Sequence, residues 1–159
     1  MEVKGIDLML KAFAAAQIDN YKLVIVGSGH LEKYLKELSE NLGLVNKVIF
    51  AGFYSSINLY AWYDMANFFL LPSRYEPFGA VINEALILGC PVVASKYIGA
   101  TDFITEDNGI LFDPLNEKEF IQTLNNACKK YFKCNKQRTN LMPCTFQDYV
   151  IAFKNIMEI

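Results

Sequence analysis

The sequence is poor in the residues that metal centres and hydrolytic triads use. It has one histidine, His30, and four cysteines that form no CxxC pair and match no zinc or haem spacing. A histidine-rich metal site or a Ser-His-Asp triad would depend on that one imidazole. No apolar run reaches the length of a membrane span, and no signal peptide opens the chain. We therefore expect a cytoplasmic protein whose cysteines are free thiols.

The chain also lacks a large net charge of either sign. Fifteen basic residues stand against seventeen acidic ones and no basic stripe is present, so nucleic acid is a poor candidate partner. In contrast, hydrophobic residues make up 53% of the chain, which is enough for a core and disfavours disorder. A length of 159 residues is typical of a single domain, here 1–159.

Short apolar runs alternate with amphipathic stretches along most of the chain. The runs are continuous, which is typical of strands buried on both faces of a parallel sheet. Predicted strands span 22–26, 48–51, 68–71, 92–94 and 109–112. Predicted helices span 6–17, 31–42, 57–65, 78–88 and 117–132, with a terminal helix within 145–159. The alternation predicts an α/β fold, a Rossmann-like open parallel sheet with helices on both faces, with ligands bound at the carboxyl ends of its strands.

The segment PSRYEPFGAVINE (72–84) follows a predicted strand and opens a predicted helix. Pro77 suits the first helical turn, and Gly79 lets another molecule approach the backbone closely. The free amides around Phe78, Gly79 and Ala80 have the dipole of the predicted helix behind them. Together they predict an anion site.

Two carboxylates belong to the same segment. Glu76 lies just ahead of the predicted helix and Glu84 lies about two turns into it, so both can line one pocket, separated by roughly the length of a sugar diphosphate fragment. A carboxylate accepts hydrogen bonds from the two vicinal hydroxyls of a ribose. We therefore assign Glu84 to a ribose and Glu76 to a transferred sugar. The alternative is that Glu76 caps the helix and Glu84 faces solvent.

The spacing of the two glutamates in EPFGAVINE resembles the E-x7-E motif of the group 1 retaining glycosyltransferases, the glycogen-synthase-like branch of the GT-B fold. The segments LVIVGSG, VIFAG, FFLLPSRYEPFG, EALILGCPVVAS and NGILFDP occur in the order and spacing of that family's C-terminal domain. The start, VKGIDLMLKAF, resembles the segment after the first strand of that domain. The resemblance runs from about Val3 to Phe132 and implies one half of a GT-B fold.

The resemblance implies the donor-binding domain of an enzyme that transfers a sugar from a nucleoside-diphosphate sugar to an acceptor hydroxyl, as in polysaccharide biosynthesis. It implies retention of the anomeric configuration, no cofactor and no metal held by the protein. Catalytic roles fall to Glu76 and to Lys4, which contacts the donor diphosphate. The donor-binding positions that it implies are Glu84, Phe78, Gly79, Ala80, Gly27, Phe53 and Tyr54. Arg74 lies beside the same segment and is a further donor-binding candidate.

The sequence departs from the family's pattern at its start. The family's domain begins with a mid-sheet strand ending in Gly-Arg, which has no counterpart ahead of Met1 and Glu2, and the N-terminal acceptor domain is also missing. We expect the chain to be inactive alone, with the acceptor domain of the same protein as its partner. Any peripheral membrane association would come only through the parent enzyme. The alternatives are a non-catalytic nucleotide-sugar-binding module and a nucleotide-sugar epimerase of the same fold.

An aromatic group lies on the predicted helix 57–65. It consists of Tyr60, Trp62 and Tyr63. Because aromatic side chains contribute mainly through the area that they bury, we predict that all three pack in the core.

Overall fold

The computed structural model describes residues 2–16, 18–132, 138–145, 147–148 and 151. The helices are α1 (Ile6–Ala15), α2 (Glu32–Asn41), α3 (Ser56–Met65), α4 (Ala80–Ile87) and α5 (Glu117–Lys130). The strands are β1 (Leu23–Val26), β2 (Val48–Gly52), β3 (Phe69–Leu71), β4 (Val92–Ser95) and β5 (Gly109–Phe112), and 3-10 turns cover Glu2–Lys4 and Thr101–Phe103. Each of these helices and strands lies within two residues of its predicted bounds. The helix predicted within 145–159 lies mostly outside the described residues. None of the described helices combines the length and apolar character that a membrane crossing requires.

Hydrophobic side chains form one cluster on each face of the sheet. Alternate residues of β4 point to opposite faces. Val93 belongs to the cluster that contains α1, α2 and α5, whereas Val92 and Ala94 belong to the cluster that contains α3 and α4. Helices therefore cover both faces of the sheet that contains β4, and every pairing between the described strands is parallel, which confirms the predicted α/β fold.

The strands form two sheets rather than one continuous sheet. β1 pairs with β2, while β4 lies between β3 and β5. No ladder among the described residues joins β1 to β3, although Ile25 of β1 and Leu70 of β3 pack against the same hydrophobic cluster. In the described part of the chain, β1 and β3 therefore each keep one edge without a partner strand while sharing one core.

The helix after β3 begins later than predicted. It starts at Ala80 rather than at Phe78, because Gly79 adopts a left-handed conformation with φ of 72°. A Cβ at Gly79 would also lie 3.1 Å from the Ala100 Cβ, so this position favours glycine. Pro77 therefore lies in the loop ahead of α4 and not in its first turn. This loop of irregular backbone, 72–79, carries Glu76.

The segment after α5 packs back against the domain. The Arg138 guanidinium donates hydrogen bonds to the main-chain oxygens of Tyr63, at 3.1 Å, and Ala66. The N–H of Leu141 donates to the main-chain oxygen of Leu86 at 2.8 Å. These bonds tie the end of α3 and the end of α4 to one segment, which fixes the two helices relative to each other.

Candidate functional site

Two loops that follow neighbouring strands lie side by side. The N–H of Glu76, after β3, donates to the Tyr97 oxygen at 3.1 Å, and the N–H of Gly99, after β4, donates to the Glu76 oxygen at 2.8 Å. A Cβ at Gly99 would lie 2.0 Å from the Pro77 oxygen, so only glycine permits this approach. A cavity of about 420 Å³ lies against the two loops. It is lined by Arg74, Tyr75, Glu76, Pro77, Tyr97, Ile98 and Gly99.

Several charged and polar groups meet at the Glu76 carboxylate. The Lys4 ammonium forms an ion pair with Glu76 Oε2, and the main-chain amides of Phe78 and Gly79 lie near this carboxylate and help to lower its pKa. The Lys4 hydrogen bond is the main reason why the pKa of Glu76 lies below its usual value, although partial burial acts the other way. The chain's own carboxylate thus occupies a point where a cation and two amides attract negative charge. That point is suited to binding an anion.

The short segment that carries Lys4 is held against the loop after β3. The Arg74 N–H donates to the Val3 oxygen at 2.7 Å, and the Arg74 guanidinium forms two hydrogen bonds with the Asp7 carboxylate, at 2.8 and 2.7 Å. The pKa of Asp7 is lowered mainly by the Arg74 hydrogen bonds. A Cβ at Gly5 would lie 2.1 Å from the Pro72 oxygen, so the two segments are in direct backbone contact.

Arg74 lines the cavity, as expected of a donor-binding candidate. However, both terminal nitrogens of its guanidinium donate hydrogen bonds to the Asp7 carboxylate. Its predicted contact with a donor stays a prediction. The sequence reasoning missed Asp7, because an acidic residue in the first turn of a helix is an ordinary partner for the helix dipole. The two residues lie 67 positions apart, and no local pattern in the sequence connects them.

Glu84 lies in α4 and is positioned by a residue of α3. The Tyr63 hydroxyl donates to Glu84 Oε2 at 3.2 Å. Tyr63 is 5% exposed, which confirms its predicted core packing, whereas Tyr60 is exposed and that part of the prediction is wrong. Trp62 is half-buried. Helix α3 thus turns one ring of the aromatic group into the core and leaves another at the surface.

The other predicted site residues follow three different strands. Phe78 is 83% exposed and Ala80 is the exposed first residue of α4, both after β3. Gly27, after β1, has φ of 135° and donates its N–H to the Gly52 oxygen at 2.7 Å. Phe53, after β2, is exposed, and the Tyr54 ring meets the Trp62 ring edge-on, 5.5 Å between centroids. The structure therefore brings Lys4 to Glu76, Phe78 and Gly79, and among the described residues no hydrogen bond, ion pair or ring contact links these four to Gly27, Phe53 or Tyr54.

Clusters of metal ligands are not found in the described part of the chain. No group of three His, Cys, Asp or Glu side chains within it could hold a metal ion. Cys128 is a buried free thiol there. The site beside the cavity is therefore characterised by the Lys4 ammonium, the Glu76 carboxylate and main-chain amides, and Glu84 is not among the residues that line the cavity.

Comparison with known proteins gives consistent matches. Residues 1–141 match the family model described as glycosyl transferases group 1. The chain is 41% identical over 115 residues to an uncharacterised glycosyltransferase of Methanocaldococcus jannaschii, covering 71% of this chain and 30% of that protein. It is 35% identical over 141 residues to glycogen synthase of Geotalea daltonii, covering 82% of this chain and 28% of that protein.

Solved structures show the same relationship in three dimensions. The Anabaena protein HepE, in complex with UDP-glucose, matches with a TM-score of 0.77 at 28% identity. The match covers 99% of this chain and 45% of HepE. The chain thus spans less than half the length of each of these similar proteins.

Proposed function

This chain belongs to the group 1 glycosyl transferases, and we propose that it is the part of such an enzyme that binds a nucleoside-diphosphate sugar. The enzyme transfers the sugar to an acceptor hydroxyl with retention of the anomeric configuration. The fold is that of one half of a GT-B glycosyltransferase, and the similar HepE structure contains UDP-glucose. The acceptor site belongs to the remainder of the enzyme.

One observation carries this proposal: the convergence of the Lys4 ammonium, the Glu76 carboxylate and the amides of Phe78 and Gly79 beside the cavity that Glu76 lines. A nucleoside-diphosphate sugar has matching groups, since its diphosphate needs cations and N–H donors while its sugar hydroxyls need an acceptor. Both sets of groups are present within one loop and the segment that it contacts.

The chemical step follows from the same contacts. Lys4 and Glu76 form an ion pair in the structure, so a bound donor has to separate them. The Lys4 ammonium then faces the diphosphate, and Glu76 accepts a hydrogen bond from a sugar hydroxyl. As the bond between the sugar and the diphosphate breaks, negative charge grows on the leaving group. Lys4 and the amides of Phe78, Gly79 and Ala80 stabilise this charge through groups that are already oriented.

The nucleoside extends away from the diphosphate in this proposal. Glu84, on the second turn of α4, accepts hydrogen bonds from the two ribose hydroxyls. The loops at Gly27 and at Phe53 and Tyr54 lie near the base, and Arg74, whose guanidinium is paired with Asp7, lines the cavity as a further candidate for a donor contact. Support for the base loops comes from the resemblance and from the exposure of Phe53.

The remaining features of the proposal concern what surrounds this chain. We propose that transfer needs no cofactor and no protein-bound metal, and that the protein works in the cytoplasm. Its main partner is the acceptor domain of the same enzyme, at an interface across the donor site. In the described part of the chain β1 and β3 each have one edge without a partner strand, and one more strand would complete the sheet between them.

A thermal-shift experiment tests the proposal. The chain is melted alone and with UDP-, GDP- and ADP-sugars, without added metal. A ligand at about 100 times its dissociation constant adds roughly 2.7 kcal/mol to the free energy of unfolding. We expect one base class to raise the melting temperature of the wild type, and we expect Glu84→Gln to lose most of that rise.

The matched control is Glu37→Gln, which removes an exposed carboxylate on α2 whose partner, Lys33, is 4.0 Å away at the surface. This variant should respond to the ligand as the wild type does. A folded wild type that shows no shift with any of the three sugar nucleotides at millimolar concentration would contradict the proposal.

A further inference from the structure

Tyr63 is a buried residue whose only polar side-chain atom points at a proposed ligand-binding carboxylate. Its hydroxyl donates to Glu84 Oε2 at 3.2 Å, across the contact between α3 and α4. The half-buried Tyr21 offers a contrast. Tyr21 donates at 2.7 Å to the main-chain oxygen of Cys128, which is a bond that only joins two parts of the fold.

The Tyr63 ring is held on several sides. It packs edge-on against the Phe69 ring of β3, with 5.3 Å between centroids and an interplanar angle of 75°. Its main-chain oxygen accepts a hydrogen bond from Arg138 at 3.1 Å. Burial, followed by the nearby Glu84 charge, raises the pKa of Tyr63 well above its usual range. The hydroxyl therefore keeps its proton and remains a donor at any working pH.

A fixed donor restricts the carboxylate that it contacts. A glutamate side chain can rotate about three bonds, and a carboxylate offers about four lone-pair sites. When Tyr63 occupies one site on Oε2, the rotation of the carboxylate is restricted while the other oxygen keeps both of its sites. A ligand with two neighbouring hydroxyls then meets an acceptor that is already oriented, so less ordering is required on binding.

We propose that Tyr63 is a positioning residue that orients Glu84 toward the two vicinal hydroxyls of the ribose. This inference rests on the proposed function, in which Glu84 binds the ribose. It assigns part of the recognition of the ribose to a residue of α3, which lies outside the segment 72–84 that carries the two proposed ligand-binding glutamates.

The test is a comparison of two ligands that differ only at the ribose. The chain is titrated by calorimetry with UDP, GDP and ADP, and then with the 2′,3′-dideoxy analogue of the one that binds most tightly. We expect Tyr63→Phe to weaken binding of the ribose form roughly three- to tenfold, which is the usual cost of ordering one flexible side chain on binding. Binding of the dideoxy form should change less than about twofold, because that ligand has no hydroxyls for Glu84 to accept from.

Two further variants make the result specific. Tyr21→Phe removes a hydroxyl of the same kind far from the site and should leave both affinities unchanged. In a Glu84→Gln background, Tyr63→Phe should produce no additional selective loss for the ribose form, because the two residues act as one unit. Thermal melting of each variant verifies that it is folded at the temperature of the titration.

The outcomes separate the inference from the function on which it rests. Binding of none of the three nucleotides by the wild type overturns the proposed function. A second outcome overturns the inference alone. In it, the wild type binds the ribose form more tightly than the dideoxy form, Glu84→Gln loses this preference, and Tyr63→Phe keeps it. An equal loss for both ligands in Tyr63→Phe also overturns it, because Tyr63 would then support the fold only.

Discussion

Strands β4 and β1 are both short aliphatic runs, VVAS and LVIV, in very different surroundings. All four residues of β4 are buried, whereas all four of β1 are only half-buried. β4 has a partner strand on each edge, but β1 pairs only with β2 in the described part of the chain. The burial of an aliphatic strand therefore depends on its neighbours, and its own sequence does not determine it.

The contrast extends to the proposed site. Glu76 and Glu84 belong to the loop and helix that follow β3, in the three-stranded half. The proposed base loops, at Gly27 and Phe53, follow β1 and β2, in the two-stranded half. We therefore expect the half that carries the two carboxylates to be stable, and the half that carries the base loops to open first.

Amide hydrogen exchange should show the largest difference between the two halves. The main-chain N–H groups of Leu23 and Gly27 donate to oxygens on the β2 side. Because successive N–H groups of a strand point to opposite edges, those of Val24 and Val26 point to the edge of β1 that has no partner strand among the described residues. In β4, the N–H of Val92 donates to the Asn108 oxygen, just ahead of β5. The N–H of the next residue, Val93, therefore points to the neighbouring strand β3. We expect Val24 and Val26 to exchange at least roughly a thousandfold faster than Val93 in an NMR exchange experiment.

The internal controls for this measurement are Leu23 and Gly27, whose bonded amides lie at the two ends of β1. They should be protected better than Val24 between them. Equal protection of Val24 and Val93 would show that something covers the open edge in solution, and would remove the difference between the two halves.

Core substitutions should give the next largest difference. Leu71→Ala in β3 removes a buried side chain of the α3 and α4 cluster, and it should lower the free energy of unfolding by about 2–4 kcal/mol. Leu23→Ala in β1 removes a half-buried side chain and should cost less than about 2 kcal/mol. Urea denaturation of both variants measures the difference. Equal losses would mean that β1 is as well covered in solution as β3.

Much of this fold could be predicted because its signals are local. Continuous aliphatic runs predict the strands, and amphipathic stretches with glycines after them predict the helices. The interruption between β1 and β3 could not be predicted from the runs themselves, since it depends on which strands lie next to each other. The start of α4 at Ala80 was missed because the left-handed backbone of Gly79 competes with the helical preference of Pro77.

In the candidate site, too, local features could be predicted from the sequence and contacts between distant residues could not. The pattern of glutamates and glycine in 72–84 indicates a carboxylate and amide site from the sequence alone. The assignment of Lys4 and Glu76 to the same donor came only from the family resemblance, because the two residues are 72 positions apart. The contacts of Asp7 with Arg74 and of Tyr63 with Glu84 join separate elements of the fold. Neither has a signal at fixed spacing, so only the structure reveals them.

The smallest expected effect concerns the ion pair that holds the Lys4 segment to the three-stranded half. Asp7 pairs with Arg74, and its pKa is lowered mainly by the Arg74 hydrogen bonds. Because the folded-state pKa lies below the unfolded value of about 3.9, this stabilisation is present above that pH and is lost as the pH falls through the lower folded value. We expect Asp7→Asn to lower the free energy of unfolding at neutral pH by about 1 kcal/mol. The difference from the wild type should shrink below about pH 4.

The control is an ion pair of the two-stranded half. Asp19 pairs with Lys47 at 2.8 Å, but its side chain is 84% exposed, so Asp19→Asn should leave the stability almost unchanged at every pH. Urea denaturation between pH 3 and 7, at constant ionic strength, compares the two variants. If the effect of Asp7→Asn persists undiminished at low pH, its cause is altered packing and not charge. If Asp19→Asn matches it, the pair in the three-stranded half has no special role in fixing the segment that carries Lys4.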